Sequence, residues 1–266
     1  LKSYKKKFLV PKCSKIQSDY IYNQIKKSKR PVILIGSGIK SSDAVDELKK
    51  FVKEYQIPLV YSGSAPDTYG LRNKLSIGSV GSQGCSRSGN FTLQNSDLLI
   101  VLGSRLNSAL TGGDLNKFAR KSKIIIVDIN KHEHEKLNDK KKLIISDIKF
   151  LLKKLNKKKH ITKKDKWVKK CIYWKKIFSI PKILDNNKKK IGLYELSEIF
   201  SDLMPQKSIF VCDSGFIDVI MPTNLKFGNA QSCIHPASQG TMGFTLPAVA
   251  GIQKITDRPI VCVVGD

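Results

Sequence analysis

The chain has 266 residues, of which 41% are hydrophobic, so it is long enough for one large or two modest domains with buried cores. No apolar run approaches the roughly 18–20 residues of a membrane span, and no signal peptide is recognisable, so we expect a cytoplasmic protein that is not associated with a membrane. The net charge is +26, but the lysine runs lack interleaved aromatic residues, so we expect a solvated surface and no nucleic-acid partner.

The cysteines and the chain ends add two expectations. Six cysteines are scattered without CxxC pairs, which predicts free thiols in a reducing compartment and argues against a zinc site. The chain begins with Leu1 rather than methionine, and Asp266 directly follows an apolar run. We therefore expect that the natural sequence continues beyond both ends.

Buried strands and helical patterns alternate in the first part of the chain. Between the first two strands, residues 42–55 predict a helix that Ser41 or Ser42 could cap. A repeated strand, short loop and helix is typical of a parallel sheet that helices cover on both faces. The predicted strands are residues 31–35, 57–61, 98–102 and 123–129.

A second α/β pattern follows a lysine-rich segment at residues 153–190, where aromatic residues at near-helical spacing predict one or two connecting helices. Its predicted helices are residues 192–204 and 240–252, and its predicted strands are residues 208–212 and 259–264. The predicted organisation is a central three-layer domain with a parallel sheet at 1–155, a linker at 156–190, and the first part of a second α/β domain at 191–266.

Glycines and charged residues at the strand ends of the first part suggest a nucleotide groove. Glycine lets a phosphate approach the backbone, arginine can hold it, and an acidic residue at the carboxyl end of a strand can accept hydrogen bonds from ribose. The groove would be lined by Gly36, Gly38, Gly81, Gly103, Arg105 and Asp128. A turn-rich connector with surface ion pairs is the alternative interpretation of the same residues.

The second part of the chain carries a stronger indication of ligand binding. Gly240 and Gly243 flank Met242 in a segment with a helical pattern, where each glycine would cost about 1 kcal/mol, so we predict that a ligand approaches the backbone there. The strand at 259–264 delivers Asp266 at its carboxyl end, which suits Mg²⁺ held together with a diphosphate.

These segments together resemble one family. Residues 238–248 read S-Q-G-T-M-G-F-T-L-P-A, which resembles the S-x-G-x-M-G-F-x-L-P-A signature of the acetolactate synthase branch of thiamine-diphosphate enzymes. Residues 264–266 resemble the opening of that superfamily's cofactor motif, which starts Gly-Asp-Gly and ends Asn-Asn. Residues 78–84, with glycine at every third position, and residues 98–105, 118–119 and 126–129 are similar to its central domain. The resemblance extends from Ile21 to Asp266.

The resemblance implies a protein of three domains, of which this chain would hold the central domain and the first part of the diphosphate-binding domain. It implies an enzyme of branched-chain amino acid biosynthesis that uses thiamine diphosphate and Mg²⁺ to decarboxylate or join 2-oxo acids. It also implies a homodimer or homotetramer. The catalytic glutamate would lie in the first domain of a partner subunit, so this chain alone would be inactive.

The resemblance also implies roles for individual residues. Asp266 would be the first protein ligand of Mg²⁺, and the Gly240 carbonyl would meet the 4′-amino group of the cofactor. Met242 would support the bent conformation between the two cofactor rings. The expected cofactor-binding residues are Ser214, Gly215, Gly240, Thr241, Met242, Gly265 and Asp266.

Three segments depart from the acetolactate synthase pattern. Residues 216–218 read Phe-Ile-Asp in place of Gln-His-Gln, which leaves another 2-oxo acid decarboxylase or carboligase open. Residues 106–109 replace a Phe-Asp-Asp-Arg-like run of flavin-binding members, and residues 81–84 replace Gly-Met-His-Gly. We therefore expect weak or absent affinity for FAD. A non-catalytic nucleotide-binding module is the alternative from a different class.

Overall fold

The computed structural model describes residues 10–134, 141–159, 163–179, 190–228 and 230–265. The strands in these ranges are β1 (Pro31–Ile35), β2 (Leu59–Tyr61), β3 (Ser76–Ser79), β4 (Leu98–Leu102), β5 (Lys123–Asp128), β6 (Lys141–Ile145), β7 (Ile209–Cys212), β8 (Ser232–Ile234) and β9 (Ile260–Val263). The α-helices are α1 (Lys15–Lys27), α2 (Gly38–Ser41), α3 (Val45–Tyr55), α4 (Arg87–Gln94), α5 (Ser108–Thr111), α6 (Ile148–Leu155), α7 (Asp165–Ile177), α8 (Leu193–Leu203), α9 (Phe216–Asn224) and α10 (Thr245–Gln253). None of the described helices is long and apolar enough to cross a membrane.

The first unit is a sheet of six parallel strands in the order β3-β2-β1-β4-β5-β6. Successive residues of β1 face opposite sides: Ile33 packs in the core with α1, α3 and α6, whereas Val32 and Leu34 pack in the core with α4 and α7. Both faces are therefore covered, which explains why every residue of β1 and β4 is apolar and buried. The predicted parallel three-layer α/β architecture is confirmed.

The second unit is a smaller parallel sheet in the order β8-β7-β9. The central strand β7 is fully buried. Phe210 and Cys212 pack against α8 and α9 on one face, and Ile209 and Val211 pack against α10 on the other. This unit confirms the predicted second α/β domain.

The lysine-rich segment contributes helix α7 to the core of the first unit. The Trp167 indole donates a hydrogen bond to the Pro31 carbonyl at 3.0 Å, and Cys171 and Trp174 are buried in the same core. The near-helical spacing of the aromatic residues thus marks a packed face. The domain boundaries at residues 155 and 190 stay predictions, and residues 160–162 and 180–189 lie outside the described ranges.

Two predicted helices begin later than expected. The short helix α2 ends at Ser41, before the predicted segment 42–55, and α3 starts only at Val45, without a side-chain cap. Between the two helices Asp43 adopts a positive φ of 50°, which interrupts the helical backbone. The segment 240–252 is helical only from Thr245, because Gly240 and Gly243 are left-handed with φ of 57° and 69°.

Two strands of the first sheet were not predicted from the sequence. Gly78, which we expected to lie in a loop, is part of one of these strands. They are β3 and β6, the two edges of the sheet. Strand β3 reads Ser-Ile-Gly-Ser and β6 begins with two lysines. Edge strands tolerate such polar sequences, so neither shows the continuous apolar run by which β1 and β4 are recognised.

Candidate functional site

The carboxyl ends of β7, β8 and β9 lie at one edge of the second sheet, where parallel α/β sheets bind ligands. Residues 213–215 follow β7 and lead into α9. Residues 235–244 follow β8 and lead into α10. Residues 264 and 265 follow β9. Six of the seven predicted cofactor-binding residues lie in these three segments, and Asp266 lies outside the described residues.

Asp213 connects the three segments. Its Oδ1 accepts hydrogen bonds from the backbone N–H of Ser214 at 3.1 Å and from that of Phe244 at 3.0 Å, and its own N–H donates to the Val263 carbonyl at 3.2 Å. The carboxylate is buried. Asp213 was not among the predicted site residues, although an acidic residue directly after a buried strand is the same signal that indicated Asp266.

The backbone around this edge is open. Gly215, Gly240 and Gly243 have positive φ values of 100°, 57° and 69°. Among the described residues, and apart from the chain neighbours of each glycine, no atom lies within 4 Å of a Cβ built on Gly215, Gly240, Gly243 or Gly265. The positive φ values of Gly240 and Gly243 favour glycine and place them before α10 rather than in a helix, and the approach of a ligand to their backbone stays a prediction. The open space would nevertheless admit a bound group directly against the main chain.

Two further features make this edge suitable for an anion with an apolar ring system. Gly215 precedes α9, whose first-turn N–H groups and helix dipole favour negative charge. Met242 and Phe216 are 87% and 76% exposed, so two large apolar side chains stand free beside the open backbone. A diphosphate at the helix and an aromatic ring at Met242 would use both features.

Two thiols under this edge have raised pKa values. Burial raises the pKa of Cys212, and the neighbouring Asp218 and Asp213 carboxylates raise it further. Burial also raises the pKa of Cys233, with Asp67 as the next cause. All six cysteines are free, and a raised pKa disfavours the thiolate form of these two.

Two of the residues predicted to line a nucleotide groove, Gly36 and Gly103, directly follow β1 and β4. The strand order of the first sheet reverses between these two strands. A Cβ on Gly36 would lie 2.3 Å from the Gly103 carbonyl oxygen, and one on Gly38 would lie 2.6 Å from the Gly103 Cα. These three glycines therefore permit close contact between two backbone segments. This packing is sufficient to explain them, and the groove as a ligand site stays a prediction.

The other predicted groove residues also have contacts within the chain. A Cβ on Gly81 would lie 2.9 Å from Cys85 Sγ. Arg105 Nε lies 3.4 Å from a Glu133 carboxylate oxygen. The Asp128 carboxylate accepts from the Asn130 N–H at 3.0 Å. Arg105 is an exposed ion pair, as the alternative interpretation of this region expected.

The described residues offer no protein-only metal centre. Nowhere in the described ranges do three or more His, Cys, Asp or Glu side chains come together in a way that could hold a metal ion. Because Asp266 is outside these ranges, its predicted role as a Mg²⁺ ligand stays a prediction.

Comparison with known families decides what kind of protein carries this site. Residues 19–155 match the central domain of thiamine pyrophosphate enzymes, and residues 213–266 match their C-terminal thiamine pyrophosphate-binding domain. The chain belongs to the thiamine pyrophosphate enzyme family. The resemblance that the sequence motifs indicated is therefore confirmed, and the open edge at Gly215 and Gly240 lies within the part that matches the thiamine pyrophosphate-binding domain.

Individual members of the family are related to this chain at modest identity. It is 31% identical over 260 residues to a probable acetolactate synthase large subunit of Methanococcus aeolicus. It is 30% identical over 248 residues to an acetolactate synthase large subunit of Cyanidium caldarium, and 28% identical over 252 residues to that of Lactococcus lactis. The matches cover 91%, 90% and 94% of this chain but 43%, 41% and 43% of the relatives. The chain thus spans about two fifths of the length of the curated relatives it matches.

Proposed function

We propose that this chain is part of an enzyme that uses thiamine diphosphate and Mg²⁺ to decarboxylate or join 2-oxo acids, with acetolactate synthesis as the leading candidate. The observation that carries the proposal is the open, glycine-lined edge within the match to the thiamine pyrophosphate-binding domain. The relatives named acetolactate synthase support the reaction class. The complete enzyme would be a cytoplasmic homodimer or homotetramer.

Each segment of the edge has a proposed task. When bound, thiamine diphosphate supplies a stabilised carbanion for chemistry next to a carbonyl group. The backbone at Ser214 and Gly215 would hold the diphosphate at the start of α9. The backbone of Gly240 and Thr241 would orient the aminopyrimidine ring, and Met242 would support the bend. Asp266 and Gly265 would place Mg²⁺ against the diphosphate, because Mg²⁺ prefers oxygen ligands and recruits phosphates to complete its octahedron.

The departure at residues 216–218 keeps another 2-oxo acid decarboxylase or carboligase as a second candidate. Asp218 is not available to a substrate, because its carboxylate pairs with His235 and its side chain is 12% exposed. Phe216 presents an apolar surface where the acetolactate synthase pattern has a polar amide. Product analysis with pyruvate, alone and with a second 2-oxo acid, separates the candidates: acetolactate supports the first, and any other product supports the second.

The cofactor assignment is tested by substitution in the full-length protein. Asp266→Asn should raise the Kd for thiamine diphosphate at limiting Mg²⁺ by about tenfold or more, and added Mg²⁺ should restore part of the affinity. Met242→Ala should lower turnover more than cofactor affinity, because the diphosphate remains anchored. The matched control is Ile255→Ala, whose side chain is 85% exposed at the far end of α10. Parent-like binding by Asp266→Asn would show that the assignment is wrong.

We also propose that the first unit has weak or no affinity for FAD. Gly36, Gly38 and Gly103 already pack against one another, and Ala109 stands where the flavin-binding pattern has arginine. The purified full-length protein should therefore lack flavin absorbance near neutral pH. A yellow protein with stoichiometric FAD would contradict this expectation.

A further inference from the structure

His235 connects the loop after β8 to both units of the molecule. Its Nδ1 contacts the Asp218 carboxylate of α9, and its Nε2 lies 3.1 Å from the carbonyl oxygen of Gly63, in the loop after β2. The imidazole side chain is 8% exposed and the Asp218 side chain is 12% exposed, so water does not replace either contact. A single side chain thus bridges β8, α9 and the first unit.

The two contacts engage both nitrogens of the ring. Nδ1 faces a carboxylate oxygen of Asp218, and Nε2 faces the Gly63 carbonyl, which can only accept a hydrogen bond. The orientation of the ring is therefore fixed from two sides.

The loop of residues 236–244 depends on two anchors. At its start, the Ala237 N–H donates to the His235 carbonyl at 2.9 Å, and the Gly240 N–H donates to the Pro236 carbonyl at 2.9 Å. At its end, the Phe244 N–H donates to Asp213. The loop is therefore held by hydrogen bonds at both of its ends.

We propose that His235, held between Asp218 and the Gly63 carbonyl, is a positioning residue that fixes the start of the loop of residues 236–244. Its effect on thiamine diphosphate rests on the proposed function, whereas the coupling to Asp218 does not. The loop is thereby tied to the first unit as well as to its own sheet, so the Gly240 backbone keeps one distance from the α9 N-terminus.

The first test is spectroscopic. In the full-length protein labelled with ¹⁵N-histidine, the ring signals of His235, assigned by their loss in His235→Asn, should shift in Asp218→Asn, because Nδ1 contacts that carboxylate. His235 ring signals that are unchanged in Asp218→Asn overturn the proposal.

The second test separates positioning from stability. His235→Asn keeps a donor for Asp218 but cannot reach Gly63, and it should raise the Kd for thiamine diphosphate about tenfold while kcat at saturating cofactor stays within about twofold. Asp218→Asn keeps an acceptor for Nδ1 but removes the charge. It should also raise the Kd for thiamine diphosphate about tenfold while kcat at saturating cofactor stays within about twofold. The matched control is Gln239→Ala, an exposed side chain of the same loop. A lower melting temperature with an unchanged Kd for both variants overturns the proposal.

Failure of the proposed function gives a different result. If the parent protein does not bind thiamine diphosphate, the proposed function is wrong. The ring spectrum and a double-mutant cycle in urea unfolding then still test whether His235 and Asp218 contact each other. His235→Asn and Asp218→Asn should then be less destabilising together than the sum of their separate effects. Strict additivity overturns the contact.

Discussion

At the scale of single residues, the structure explains glycines by what stands next to them. Gly36 and Gly240 each lie in a loop that follows a strand of the structure. Gly36 lies against the Gly103 carbonyl, whereas Gly240 has open space beside it and a positive φ. The first glycine is required by packing and the second by backbone conformation, so substitutions at the two positions should have different consequences.

Gly36→Ala should destabilise the first unit by about 1–3 kcal/mol or more, because the new Cβ would lie 2.3 Å from the Gly103 carbonyl oxygen and the two backbone segments would have to separate. The control is Gly113→Ala, where no atom lies within 4 Å of the built Cβ. Its effect should stay within about 0.5 kcal/mol. Urea unfolding followed by circular dichroism measures both, and equal midpoints would contradict the packing explanation.

At the scale of elements, α7 shows how a lysine-rich segment can be structural. The buried face of the helix carries Trp167, Cys171 and Trp174, and the rings of the two tryptophans meet edge to face with centroids 5.7 Å apart. Four of its lysines, Lys166, Lys169, Lys170 and Lys176, lie on exposed faces, whereas Lys175 is partly buried.

Trp167→Phe should destabilise the protein by about 1–2 kcal/mol, because the indole N–H bond to the Pro31 carbonyl is lost while most of the ring packing is kept. Tyr173→Phe is the matched control on the exposed face of α7, since it also removes one polar group from an aromatic ring. Its effect should be near zero. The comparison is made from the unfolding free energies in urea, and a Trp167→Phe protein as stable as the control would show that α7 is not anchored at Pro31.

At the scale of the whole molecule, Lys175 lies at the contact between the two units. Its Nζ donates to the carbonyls of Leu71 at 2.7 Å and Asn73 at 2.9 Å. Burial, and then the charge of Lys226, lower the pKa of Lys175 from 10.5 to about 8. Lys226 itself pairs with Glu198 of α8. Among the residues that the structure describes, the Lys175 ammonium group is thus held by backbone carbonyls.

The lowered pKa of Lys175 predicts how stability depends on pH. Between about pH 8 and pH 10.5 the unfolded chain binds more protons at this residue than the folded protein does, so its contribution to stability rises with pH. The unfolding free energy of the parent should therefore increase relative to Lys175→Met across this range, by at most about 1.4 kcal/mol per pH unit.

The buried thiols have the opposite effect on the pH dependence of stability. Because this effect is the same in the parent and in Lys175→Met, it cancels when their unfolding free energies are subtracted. Lys176→Met, which removes the neighbouring exposed lysine, should follow the parent at every pH. Urea unfolding at pH 7.5, 9 and 10 gives the unfolding free energies of the three proteins. If the unfolding free energy of the parent does not increase with pH relative to that of Lys175→Met, the assigned burial of the ammonium group is wrong.

Features that depend on residues close together in the sequence could be predicted. Strands β1 and β4 are continuous apolar runs because both of their faces are covered, and residues 238–248 carry a contiguous motif. Strands β3 and β6 were missed because edge strands need no such run. The start of α10 was predicted too early. Gly240 and Gly243 lie in a stretch with a helical pattern, and their left-handed backbone conformation leaves no periodic signal in the sequence.

The sequence by itself therefore determined the α/β class, the parallel first sheet and the thiamine pyrophosphate enzyme family, since each depends on neighbouring residues. Only the tertiary structure decided which distant residues meet. Gly36 against Gly103, Asp213 with the Phe244 N–H, and His235 with the Gly63 carbonyl all join segments from different parts of the chain. Such contacts follow from the order in which the strands pair and from the packing of one unit on the other, and neither leaves a periodic pattern in the sequence.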